Sequence, residues 1–229
     1  MTPRPAATLL AVRPGPADPQ VLMLRRPARG FFGGLWVFPG GALEPVDRSD
    51  LARRVVSGPE GADDLPWRAA ALRETAEEVG LLLSDPPPPG PVDLMGEAVY
   101  REVLERGAVL YGHRLRLLSQ WVTPAGLPTR YDARFYLTLV RGSSPLLPRP
   151  SEVEEMAWVS AADALARVED GAWAMARPTV RHLRWLAPHR DVAAVWSASE
   201  AVAVPDGAPL IESDGSEVWV PLPAAAESP

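Results

Sequence analysis

Short apolar runs separated by turn-forming clusters open the chain. Ala7 to Val12 and Val21 to Leu24 are strand-length runs, and Arg13 to Gln20 between them is rich in Pro, Gly and Asp, so residues 7–24 predict a β-hairpin. Leu35 to Phe38 is a third apolar run, broken by Pro39-Gly40-Gly41. The period then changes. Ala69, Leu72, Ala76 and Val79 recur at helical spacing, and Gly80 ends that helix as a glycine just past the last turn commonly does. Residues 48 to about 66 carry Gly58-Pro59 and Gly61 and predict a loop, with Asp63 or Asp64 available to cap the helix. Pro86 to Pro91 reads as a stiff spacer. Val92 to about Leu110 has helical character on Ala98, Val99, Val103, Leu104 and Ala108. Leu117–Thr123, Arg130–Val140 and Met156–Val159 read as strands. Ser160 with Asp163 resembles a capping box ahead of a helix to Val168, and Arg177-Pro178 begins another that runs to about Ala187. Beyond Pro188, Val192–Trp196, Ala201–Val204 and Val218–Leu222 alternate with turn residues. They predict a C-terminal β extension that covers a sheet edge or pairs with a second subunit.

The chemistry concentrates on the first helix. Glu74, Glu77 and Glu78 stand at i, i+3 and i+4 and share one face. Like charges at that spacing destabilise a helix by roughly 0.2–0.5 kcal/mol per pair, so an oxygen-liganded divalent cation is the natural counter-charge. Arg73 beside them offers a permanent charge and a fork of donors able to pin a carboxylate.

These residues, taken with the glycines upstream, resemble the Nudix hydrolases, whose box reads G-x5-E-x7-R-E-U-x-E-E-x-G-U with U aliphatic. Gly41 matches its first glycine, and Arg73, Glu74, Glu77, Glu78, Gly80 and Leu81 match its second half. Thr75 fills a U position. Two departures stand out. Asp47 replaces the first glutamate, and 25 residues, 48 to 72, separate it from Arg73 where the box has seven. Asp47 either contributes to a metal site or braces the loop. The W-x-T-P stretch from Trp121, R-Y-D-x-R-F-Y from Arg130 and the long insertion within the box resemble the subgroup that includes peroxisomal coenzyme A diphosphatases.

The resemblance implies an α/β fold, an α/β/α sandwich with a mixed β-sheet. It would occupy residues 6–188 with the insertion at 48–66, followed by the β extension at 189–223. It implies hydrolysis of the pyrophosphate of a nucleoside diphosphate linked to a moiety X, with coenzyme A or acyl-coenzyme A favoured. ADP-ribose, a nucleotide sugar, a dinucleotide or a silent nucleotide-binding module are the alternatives. Glu74, Glu77 and Glu78 would hold Mg²⁺ or Mn²⁺. Arg73 would orient a glutamate, and Glu77 or Glu152 would take the proton from water. Glu154 is the rival to Glu152, and either is equally a solvated acidic residue.

Gly40, Gly41, Arg25 and Arg26 are candidates for phosphate contact, the arginines being alternatively strand-end charges. Arg130, Asp132 and Arg134 alternate on one strand and share a face. They either meet substrate or form a salt-bridged sheet surface. Phe31 and Phe32 either stack a ring or pack over the sheet. Composition narrows the remainder. A net charge of −6 argues against a nucleic-acid polymer as partner. The lack of cysteine removes disulfides and thiolate sites, and 47% hydrophobic residues suffice for a large core. The short run Ala6–Val12 reads as neither signal peptide nor membrane span, and the last three residues are no peroxisomal address, so a cytoplasmic protein with a nucleotide substrate is expected, with a homodimer open.

Overall fold

The computed structural model describes residues 2–29, 32–59, 63–141, 145–201, 210–211 and 215–220. In chain order the elements are β1 (Arg4–Arg13), β2 (Gln20–Arg25), β3 (Trp36–Val37), β4 (Gly40–Ala42), α1 (Asp50–Val55), α2 (Leu65–Val79), β5 (Ser84–Asp85), α3 (Glu97–Glu105), β6 (Val109–Leu110), β7 (Arg116–Val122), β8 (Tyr131–Leu139), β9 (Glu155–Ser160), α4 (Ala161–Glu169), α5 (Arg177–Leu186), α6 (Val192–Ala198), β10 (Leu210–Ile211) and β11 (Glu217–Val220). The main sheet is mixed, in the order β10-β11-β7-β8-β1-β2-β3, with β4 also on β1 and β9 also on β2. β1 and β8 run parallel from Arg4–Tyr131 to Val12–Leu139, and the other pairs are antiparallel.

β1 is buried on both faces, which is why it reads as a continuous apolar run. Ala7, Leu9 and Ala11 point to α2 and its core, while Leu10 and Val12 point to the core under α4, α5 and α6. The result is the α/β/α sandwich with a mixed sheet. Among the described residues no helix is long and apolar enough to cross a membrane.

Four expectations change. The insertion is not all loop: α1 lies within it, capped by Ser49, whose hydroxyl accepts from Ala52 N at 3.1 Å. Ala52 and Val55 bury against the α2 core, so the Gly-Pro break after it masks a short amphipathic helix. Val192–Trp196 is helix α6, not strand. Asp191 accepts from Ala194 N at 2.8 Å as its N-cap, and Val195 is fully buried. The strands of the C-terminal segment are β10 and β11, and β11 pairs with β7 and so covers that edge. The strand expected at Ala201–Val204 lies, after Ala201, outside the described residues, as does Leu222. The helix expected over residues 92–110 is shorter. It begins after Gly96, at φ 55°, and Val109–Leu110 is a strand paired with β5. Asp64 takes the N-cap position of α2 but does not cap it. Its carboxylate accepts from Arg68 Nε at 2.7 Å and from Tyr136 OH at 2.9 Å instead.

Candidate metal centre and substrate cleft

α2 is the best-buried helix of the fold. Every residue from Arg68 to Val79 is buried, the acidic face included. Burying charge is costly unless each group is paired and hydrogen-bonded, and the network around α2 does this. Arg73, 1% exposed, grips Asp47 with both prongs, Nε to Oδ1 at 2.8 Å and Nη2 to Oδ2 at 3.0 Å. Its Nη1 donates to Glu77 Oε1 at 3.0 Å and lies 3.0 Å from Glu74 Oε1. Burial alone would lower the Arg73 pKa, but the Asp47 hydrogen bonds and the charges of Glu74, Asp47 and Glu77 more than offset it and hold the guanidinium charged. Asp47 also accepts from Tyr100 OH at 2.6 Å and from Glu44 N at 2.7 Å. The aspartate thus braces the arginine and the entry to the insertion.

Glu77 points the same way. Its Oε1 accepts from Gly96 N at 2.7 Å as well as from Arg73. Glu74, Glu78 and Glu152 point elsewhere: each offers a carboxylate oxygen, and these three oxygens lie within 4.8 Å of one another. Glu152 comes from the turn before β9, which pairs along β2 and so lies beside the β2 end. Glu78 accepts from Gly40 N at 3.0 Å through Oε2. Its Oε1 is 2.5 Å from Arg26 Nη2 but is not aligned with it for a hydrogen bond, and the same nitrogen donates to Gly40 O at 2.6 Å. Burial pushes Glu78 up to about 8 against the pull of Arg26, and pushes Glu74 up to about 7 against the pull of Arg73.

The glycines make room for this cluster. A Cβ on Gly41 would stand 2.5 Å from the Glu74 carboxyl carbon. A Cβ on Gly40, at φ 154°, would strike Ala7 O at 2.4 Å. Oxygen-only donors, a buried Glu78 oxygen without a hydrogen bond and a glycine cradle fit a hard divalent cation, whose ligands sit at about 2.0–2.6 Å.

Gly40, Gly41, Arg26 and Glu152 line a cavity of about 1240 Å³, together with aromatic walls from Phe32, Trp121 and Tyr131. Phe32 and Tyr131 rings lie 5.8 Å apart; Phe31 is outside the described residues. Glu154 also lines the cavity but pairs with Arg25 at 2.9 Å.

The other sequence candidates fall away from the cavity. Arg25 is held by Glu154 and by Glu155 at 2.5 Å. On β8 the residues that line the cavity are Tyr131, Ala133 and Phe135, so Asp132 and Arg134 face the other way. Asp132 accepts from Gln120 Nε2 at 2.7 Å, and Arg134 stacks over Trp67 of α2 at 3.9 Å. Arg130 donates to Thr123 O at 2.9 Å. The substrate-contact reading of Arg25, Arg130 and Arg134 therefore has no support from this geometry. Tyr100 is the residue sequence reading missed; a lone tyrosine between Val99 and Val103 looks like apolar filling until Asp47 is found beneath it.

A mixed-sheet α/β/α sandwich that sets clustered carboxylates behind a Gly-Gly turn beside a cleft has the donor set of a divalent-cation site. The model of the NUDIX domain matches residues 2–183, and the chain belongs to the Nudix family. It is similar to the acyl-coenzyme A diphosphatase NUDT19 of Homo sapiens, with 29% identity over 223 residues that cover 70% of this chain and 59% of that protein. The Gallus gallus protein of the same name is 26% identical over 274 residues, covering 93% and 70%. This chain therefore spans less than two thirds of the human relative's length. Among solved structures, a NUDIX hydrolase from Alicyclobacillus acidocaldarius superposes with a TM-score of 0.73 at 31% identity, covering 86% of this chain and 96% of that one.

Proposed function

We propose that this chain is a divalent-cation-dependent pyrophosphohydrolase that cleaves a nucleoside diphosphate linked to a second moiety, with coenzyme A or acyl-coenzyme A as substrate. The observation that carries the reading is the Glu74–Glu78–Glu152 cluster beside a cavity large enough for a nucleotide. The names of the two vertebrate relatives support the substrate.

Glu74, Glu78 and Glu152 would hold Mg²⁺ or Mn²⁺. The bound ion supplies positive charge that neutralises and polarises a pyrophosphate. Arg73 and Asp47 hold the α2 carboxylates in place and touch no substrate. Glu77 secures Arg73 and the start of α3 rather than facing the cavity. Of the three, Glu152 is the one that lines the cavity, so the carboxylate oxygen it does not give to the cation is available to accept the proton of the attacking water. Arg26, at the cavity wall, is the cation placed to meet a substrate phosphate. The products from coenzyme A would be 3′-phosphoadenosine 5′-phosphate and 4′-phosphopantetheine, water adding across the phosphoanhydride.

The test is product analysis with Mg²⁺ or Mn²⁺ on coenzyme A, acyl-coenzyme A, ADP-ribose, a nucleotide sugar and diadenosine polyphosphates. Formation of 3′-phosphoadenosine 5′-phosphate in preference to products of the other substrates is the expected result. Preference for another nucleotide would discard the coenzyme A assignment, and silence across the panel would discard the hydrolase.

A further inference from the structure

The first turn of α5 forms part of the cavity wall, through Ala176, Arg177, Pro178 and Thr179. Helices α4 and α6 have their leading N–H groups capped by Ser160 and Asp191, but α5 has Ala176 at its N-cap, and a methyl group accepts nothing. The N–H of Thr179 and the positive end of the helix dipole are thus turned on the cleft. A second observation points to a ligand. Thr179 is 4% exposed and lines the cavity, yet its hydroxyl has no hydrogen-bond partner among the described residues. The residue is buried but its oxygen is not sealed off from the cavity it lines, so the hydroxyl is open to a group that enters there.

The turn is also held rigidly. His182 Nδ1 lies 2.6 Å from Pro178 O, which can only accept, so Nδ1 carries the proton. Nε2 then accepts from the Ser119 hydroxyl at 2.8 Å, and Trp121 Nε1 donates to Ser119 Oγ at 3.1 Å. This chain ties the α5 turn to Trp121, another wall of the same cavity.

We propose that the α5 turn is an anion subsite for a phosphomonoester carried on the substrate remote from its pyrophosphate. In coenzyme A that group is the ribose 3′-phosphate. The Thr179 hydroxyl and N–H donate to it, and Arg177 supplies charge. The inference rests on the substrate reading above. It also separates the two anionic ends of one ligand. The pyrophosphate goes to the carboxylate cluster through its cation, and the monoester goes to neutral donors and an arginine, where the described residues form no second carboxylate cluster to repel it.

The test compares coenzyme A with dephospho-coenzyme A, which lacks only the 3′-phosphate, in the wild type, Thr179→Val and Arg177→Gln. Arg177 is exposed, so the second variant leaves the buried core in place. The wild type should prefer coenzyme A in kcat/KM, and each substitution should cut that preference about tenfold or more. An unchanged preference in both variants overturns the subsite. If neither compound is hydrolysed, the substrate reading has failed and calorimetry tests the subsite separately, with 3′-phosphoadenosine 5′-phosphate against AMP. Tighter binding of the first, lost in both variants, supports the subsite. Equal binding of the two, or none, overturns it.

Discussion

α2 and α5 flank one sheet from opposite faces and both serve one cleft, but they treat charge in opposite ways. α2 buries two arginines and three glutamates. Arg68 is held by Asp64 and two backbone carbonyls, and around Arg73 and the glutamates Asp47, Tyr100 and two backbone N–H groups, of Gly40 and Gly96, bind most of the polar atoms. α5 buries no charged group in its wall. It offers a hydroxyl and an uncapped first turn. A buried charge network has to be geometrically complete, so it holds its members stiffly and tolerates little change. Neutral donors left open make no such demand, and selectivity among ligands can be set there without disturbing the charged side.

The sharpest way to break this comparison is Arg73→Met. It leaves Asp47, Glu74 and Glu77 without their counter-charge, and stability measured by urea denaturation should fall by about 3–5 kcal/mol. If it cost no more than Thr179→Val, the network would not be the rigid side. Next, Glu78→Gln should lower cation-dependent hydrolysis at least about a hundredfold, since even the outer partners of metal ligands cost 10–100-fold. The same variant should abolish the stabilisation of about 2.7 kcal/mol expected of the wild type at a cation concentration of 100 Kd, read by thermal melts.

A pH series follows from the raised carboxylates. Glu74 and Glu78 rise from 4.5 to about 7 and about 8 in the fold. In cation-free protein their contribution to stability is fully present below pH 4.5 and is lost as pH rises through 7 and 8. Urea midpoints should therefore decline from pH 5 to 8.5 without cation. With Mg²⁺ they should not decline, and calorimetry at pH 7 should show proton release on cation binding. A midpoint that rises over this range without cation would contradict the buried cluster. The smallest effect is Thr179→Val, expected within about 1 kcal/mol in urea because the hydroxyl makes no protein hydrogen bond to lose.

The sequence shows much of the sandwich because the apolar runs of β1, β2, β7 and β8 are bounded by turn residues, and Gly80 closes α2 in the left-handed region at φ 69°. Short helices are hidden. α1 and α6 are six and seven residues long, too brief for a helical period to outweigh the neighbouring Gly and Pro, and only the caps Ser49 and Asp191 betray them. At the site, spacing places Glu74, Glu77 and Glu78 together but cannot say which way each rotamer turns. Arg73, one turn back on the same helix, and Gly96 N, a tertiary contact that spacing cannot show, draw Glu77 aside. Strand alternation likewise puts Asp132 and Arg134 on one face without saying which. Because β8 is covered on both faces, a polar residue does not mark the cavity side. The cap missing from α5 is legible in Ala176, but only once the helix is known to end at a cavity.

Arg26 has a consequence for how the protein comes into being. Its Nη2 sits between Glu78 Oε1 and Gly40 O, so the chain brings its own positive charge to the place where the carboxylates most need one. Assembly then need not wait for an ion. A newly made polypeptide can therefore close its core around these carboxylates with a charge drawn from its own sequence.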